Sequence, residues 1–75
     1  MAQHIGFEFS TREFELSHGR SPKGRGSWAF EYDGQEPVFT PGGMTYLEAK
    51  AWVKTRIRSE APADFVGVVV VNVCP

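Results

Sequence analysis

Cysteine occurs once in these 75 residues, at Cys74, so no disulfide can form within the chain. A lone thiol suits a reducing compartment, and a cytoplasmic location is expected. Neither His4 nor His18 has a Cys or carboxylate at metal-ligand spacing, and paired-cysteine, HExxH and phosphate-loop motifs are missing. The glycine-rich stretch from Ser17 to Gly26 does not lead from a strand into a helix, so its glycines build no phosphate cradle. Cys74 is next to the last residue, a poor place to assemble a base and an oxyanion hole. No apolar run is longer than Val68 to Val71, too short to cross a bilayer. Near Met1 there is neither a basic n-region nor an apolar h-region, so no secretory signal is expected. Charge of one sign is also not in excess: the net charge is −1, which excludes a polycation that coats nucleic acid. No enzyme, metal or cofactor is expected, and what remains is a binding protein.

The residues present describe one small α+β domain over residues 1–75, near the lower limit of independent folding. Ile5, Phe7 and Phe9 alternate with Glu8, which reads as a strand. At Ser10-Thr11 the phase slips by one residue, and Phe14 and Leu16 take over the apolar side with Glu13 and Glu15 opposite. A β-bulge accounts for the slip, or two short strands with a bend between them. Ser17 to Gly26 reads as a flexible loop. From Ser27 to Tyr32 the alternation is clean, with Trp28, Phe30 and Tyr32 on one face. Asp33-Gly34 then signals a hairpin, and Pro37 confines the returning strand, Gln35 to Thr40, to a sheet edge.

A helix follows Pro41-Gly42-Gly43. Thr45 and Glu48 have capping-box spacing, and Met44 and Ala49 take the staple positions. Tyr46, Ala49, Val53 and Ile57 form an apolar stripe with Trp52 on its flank, while Lys54, Arg56 and Arg58 load the C-terminal end. Phe65 to Val73 is apolar on both faces and reads as a central strand. The expected order is β-β-β-α-β: a single four-stranded, mostly antiparallel sheet with one helix packed on one face. One helix covers only one face, so the valines of the last strand should meet a second copy or a partner.

Three groups of charges are candidates for function. A two-residue turn at Asp33-Gly34 would pair Tyr32 with Gln35, Glu31 with Glu36, Phe30 with Pro37 and Trp28 with Phe39. Glu31 and Glu36 would then oppose each other on the face away from the aromatics, joined there by Glu8, Glu13 and Glu15. Like charges in direct opposition are a local cost, and such costs are often retained for binding; a merely solvated face that discourages aggregation has the same pattern. Arg20, Lys23 and Arg25 sit among glycines and suit phosphate or carboxylate contact, or simply solubility. Lys50, Lys54 and Arg58 follow one another at i, i+4 spacing, as a solvated helix back would.

From Gly26 to Ile57 the chain resembles the arm-type DNA-binding domains of tyrosine-recombinase integrases and the plant AP2 domains. Gly26-Ser27-Trp28 opens a strand, Asp33-Gly34 makes the turn, and Phe39 supplies an aromatic in the third strand. Thr45, Glu48 and Ala49 open the helix, and Trp52 follows. The resemblance implies a DNA-binding accessory, here using the loop from Arg20 to Arg25 and the helix. Those families read DNA with basic side chains on the outer sheet face, where this chain carries Glu31 and Glu36, and here a strand follows the helix. In size, neutrality and want of catalytic groups the chain also resembles small phage-encoded inhibitors of the anti-CRISPR kind. That resemblance implies a stoichiometric inhibitor in the host cytoplasm, docking an acidic face on a protein partner that handles nucleic acid. Glu13, Glu15, Glu31 and Glu36, with Arg20, Lys23 and Arg25, are the expected partner-binding residues.

Overall fold

The computed structural model describes residues 2–75. It is an α+β fold in which a four-stranded mixed sheet carries a long helix on one face, beside a small two-stranded sheet. Strand β1 spans His4–Ser10 and α1 spans Arg12–His18. Two short strands, β2 (Arg25–Gly26) and β3 (Ala29–Glu31), precede β4 (Val38–Phe39) and β5 (Met44–Thr45). Helix α2 covers Tyr46–Glu60 and β6 covers Val66–Val73. The sheet order is β1-β6-β3-β4, so the valine-rich strand is central and the proline-bearing segment lies at an edge, as alternation and Pro37 require. The β3–β4 and β3–β6 pairings are antiparallel as expected, and the sheet is mixed because β1 runs parallel to β6 from His4↔Val66 to Ser10↔Asn72. A parallel pair needs a long crossover, and the whole intervening chain supplies it.

Alternation sorts the sheet into two faces. On the inner face, Val69, Val71 and Val73 of β6 and Phe30 of β3 are buried against Ala49, Val53 and Ile57 of α2. Trp28 and Tyr32 extend this core, and Ile5, Phe7 and Phe9 of β1 pack at its margin. Burying each large side chain contributes about 1.5–3 kcal/mol. Trp28 satisfies its indole N–H on Met44 O at 2.8 Å, which ties β3 to the entry of α2.

The second half of the expected first strand is a helix, with neither a bulge nor a bend between strands. Glu15 N–H donates to Thr11 O at 2.9 Å, and Gly19 at φ 69° closes α1 by donating to Glu15 O at 2.8 Å. Glu13 and Glu15 in the first turn and His18 in the last complement the macrodipole. Alternation was a false period here: Phe14 is buried, but Leu16 is 76% exposed. The partner of Phe14 is His18, one helical turn on, with ring centroids 4.1 Å apart. The expected loop from Ser17 to Gly26 is likewise shorter, because α1 runs to His18 and β2 pairs with β5.

The turn at Asp33-Gly34 forms with positive φ at both residues, 54° and 66°, and Gln35 N–H donates to Tyr32 O at 3.1 Å. The ladder beyond it is shifted by one residue. Ala29 pairs with Phe39 and Phe30 with Val38, so the expected pairing of Glu31 with Glu36 is wrong. Pro37 has no N–H to donate to a ladder, and pairing is taken up only from Val38. Thr40 then secures the strand end: Trp28 N–H donates to its Oγ1 and the hydroxyl donates to Gly42 O, both at 3.1 Å.

Candidate functional site

The face of the sheet away from α2 has an apolar centre. Val66, Val68 and Val70 of β6 are 68%, 63% and 49% exposed, and Phe39 of β4 is 71% exposed. Beside them on β1 stand His4, Gly6 and Glu8, in register with the three valines. Gly6 keeps Val68 open: a Cβ there would come within 3.3 Å of Val68 Cγ2. On the other side of β6, Glu31 of β3 is paired with Asn72. Carboxylates therefore stand on both sides of β6 at the Val70–Asn72 end of the valine ridge, at Glu8 and Glu31, and no strand residue of this face is Lys or Arg. The ridge was legible in the sequence as the two-faced apolar run.

The expected acidic cluster is smaller than alternation suggested. Glu31 is on the outer face as expected, and Glu13, from α1, approaches the same end of the sheet. Both reach Cys74: burial raises its thiol pKa most, and the Glu31 and Glu13 carboxylates raise it further. Glu15 instead bonds Thr11 Oγ1 within its own helix. Glu36 lies in the exposed stretch before β4, outside the ladder. Glu36 was expected directly opposite Glu31 in the hairpin; the carboxylate that faces Glu31, from the other side of β6, is Glu8, which alternation already placed on this face.

The basic residues separate. Arg20 and Lys23 are exposed in the loop after α1, while Arg25 in β2 lies 3.7 Å from Glu48 at the start of α2. This loop is anchored by buried Pro22 and by Tyr46 N–H donating to Gly24 O at 3.0 Å. It belongs to the entry of α2, away from the valine ridge. Sequence reasoning missed the placement of Lys50, Lys54 and Arg58, which is no plain solvated helix back. Their charged groups stand 4.9–5.8 Å from the ring centroids of Tyr46, Phe7 and Phe9.

Two shallow hollows of about 210 and 240 Å³ flank the core, below the roughly 300 Å³ at which small-molecule sites begin. In the first, Tyr32 OH donates to Glu60 Oε1 at 2.8 Å and Arg56 Nε lies 3.2 Å from Glu60 Oε2. These polar groups satisfy one another. Among the described residues no three His, Cys, Asp or Glu side chains come together as metal ligands, and no helix is long and apolar enough to cross a membrane. Compared with known protein families, curated proteins and solved structures, the chain has no significant match.

Proposed function

We propose that this is a non-catalytic, stoichiometric binding protein that docks the outer face of its sheet on a basic protein surface. The observation that carries the reading is the row Val66, Val68 and Val70, 49–68% exposed in the middle of a sheet, with Glu8 and Glu31 on either side of its Val70 end. An exposed apolar ridge of this kind marks an interaction surface. Its carboxylates select a partner with lysines or arginines around an apolar centre. Twofold pairing through this same face supplies no such cation, since His4 is the only basic side chain among its strand residues.

A basic surface of that type is what proteins present to nucleic acid. The reading is therefore of a phage-type inhibitor, working in the host cytoplasm, that occupies such a surface in place of nucleic acid. Burial, Glu31 and Glu13 raise the Cys74 thiol pKa, which disfavours the thiolate that a nucleophile needs. The alternative of an integrase-arm DNA-binding accessory draws support from Arg20, Lys23 and the cations of α2. Against it stand Glu8 and Glu31 on the outer face, and Arg25 beside Glu48.

The test is capture from a nuclease-treated bacterial lysate, with the wild-type protein and Glu31→Lys as parallel baits. The expected outcome is a basic, nucleic-acid-binding protein retained by the wild type and released by a nucleic acid competitor. It should be depleted with the variant. Wild-type protein that itself shifts duplex DNA at physiological salt, and shifts it more strongly as Glu31→Lys, would contradict the inhibitor reading.

A further inference from the structure

The open edge of the main sheet lies beside the cationic stripe of α2, and the two together have the geometry of a second binding site. Strand β1 is terminal in the sheet, and among the described residues no strand pairs with its outer edge. His4 N–H donates to Phe65 O at 2.8 Å. In a parallel ladder alternate residues turn both backbone groups to the same neighbour. Ile5, Phe7 and Phe9 therefore turn their amides and carbonyls outward. These are the residues whose rings and side chains lie on the helix side.

Above that edge runs the stripe Lys50, Lys54 and Arg58. Lys50 stands 5.8 Å from the Phe9 ring centroid, Lys54 5.7 Å from both Phe7 and Phe9, and Arg58 5.1 Å from Phe7. Gln3 Nε2 donates to Arg58 O at 2.9 Å, so the C-terminal end of the helix is held at the start of the strand. None of the three cations pairs with a carboxylate among the described residues, where the ion pairs are Arg25–Glu48 and Arg56–Glu60. Cations four apart on a helix are separated by about 6 Å along its axis. Side chains on one face of a strand recur at about 6.6 Å. The two repeats nearly coincide over the length of β1.

We infer that the β1 edge accepts an extended peptide with acidic residues at alternate positions, added as a fifth strand whose carboxylates meet Lys50, Lys54 and Arg58. Main-chain bonds to Ile5, Phe7 and Phe9 supply attachment, and the cation stripe selects the sequence. A second copy is a poor occupant, because twofold pairing through β1 would bring two cationic stripes together. Single-stranded nucleic acid is disfavoured because Phe7 and Phe9 already have cations over them and offer no open face for base stacking. The site uses the helix side and the edge of the sheet, so it stands or falls independently of the outer valine face.

The experiment is fluorescence anisotropy with a labelled peptide of alternating threonine and glutamate. Its comparators are the threonine–lysine peptide, the same acidic peptide with alternate backbone amides methylated, and an oligothymidine of equal charge. Saturable binding of the acidic peptide is expected, weakened at least about ten-fold by amide methylation and by the Lys50→Glu/Lys54→Glu pair, the scale of losing a charge-assisted contact. The methylated peptide needs no protein variant, so the test survives a variant that fails to fold. No saturation with the acidic peptide, equal binding after methylation, or tighter binding of oligothymidine would each overturn the proposal.

Discussion

Thr45 and Glu48 show how a local signal in the sequence becomes a measurable stability term. Glu48 N–H donates to Thr45 Oγ1 at 3.1 Å, and Thr45 N–H donates to Glu48 Oε1 at 2.9 Å. Both amides belong to the unpaired first turn of α2, so Thr45→Ala should cost about 1 kcal/mol. In a domain of this size that lowers the thermal midpoint by roughly 4–8 °C, read by circular dichroism. An unchanged midpoint would mean that the box is not formed in solution. The Thr45 backbone N–H, and after it the Thr45 hydroxyl, hold the Glu48 carboxyl below its ordinary value of 4.5, with Arg25 adding a smaller effect. A depressed folded pKa stabilises the fold above the unfolded value and loses that contribution as pH falls through the folded one. The midpoint should therefore drop on acidification below about 4.5, and Glu48→Gln should reduce the slope of that drop. At the other end of the chain, burial, Glu31 and Glu13 all raise the Cys74 thiol pKa. Glu31→Gln should accelerate Cys74 alkylation near pH 8, because more thiolate is then present. An unaltered rate would remove Glu31 from the neighbourhood of Cys74.

At the scale of elements, α2, β6 and the β3–β4 turn were legible because their signals came from several sources at once. Helix α2 has a cap, a stripe at helical period and cations at its end, and all agree. Strand β6 announced its central place through valines on both faces. Helix α1 was misread because Phe14 and Leu16 two residues apart satisfy a strand period as readily as a helix does over so short a span. The decisive residue was Gly19, whose positive φ supplies a helix C-cap. The two readings make different predictions. In the helix Phe14→Ala should cost about 3–5 kcal/mol and Leu16→Asp should stay within about 0.5 kcal/mol. A strand with both side chains inward would make the two substitutions similarly damaging in denaturant titrations. The hairpin register failed for a related reason. Asp33-Gly34 specifies the turn but not where pairing resumes, and Pro37 delays the ladder to Val38. That one-residue shift removed Glu36 from the candidate face. Glu8 was placed correctly by β1, although its role as the carboxylate across the ridge required the parallel pairing with β6, which no local signal carries.

At the scale of the molecule, one helix covers one face of a four-stranded sheet and leaves the other to solvent. Polar side chains usually take the exposed positions of such a sheet. Here the centre of the open face is valine, glutamates stand at one end of it, and the lysines and arginines of α2 belong to the opposite side. The charge distribution is thus bipolar although the net charge is only −1. An acidic, apolar-centred face and a cationic edge are suited to partners of opposite character. Docking through the outer face is tested most directly by quantitative capture with three baits compared in one lysate: wild type, Val68→Asp on the outer face, and Lys54→Glu on the helix. Each bait is first confirmed folded by its thermal transition. The basic partner retained by the wild type should fall at least about ten-fold with Val68→Asp, the effect of burying one unpaired charge in an interface. It should be retained fully by Lys54→Glu. Equal retention on wild type and Val68→Asp, or a loss confined to Lys54→Glu, would contradict the assignment of the outer sheet face as the binding surface.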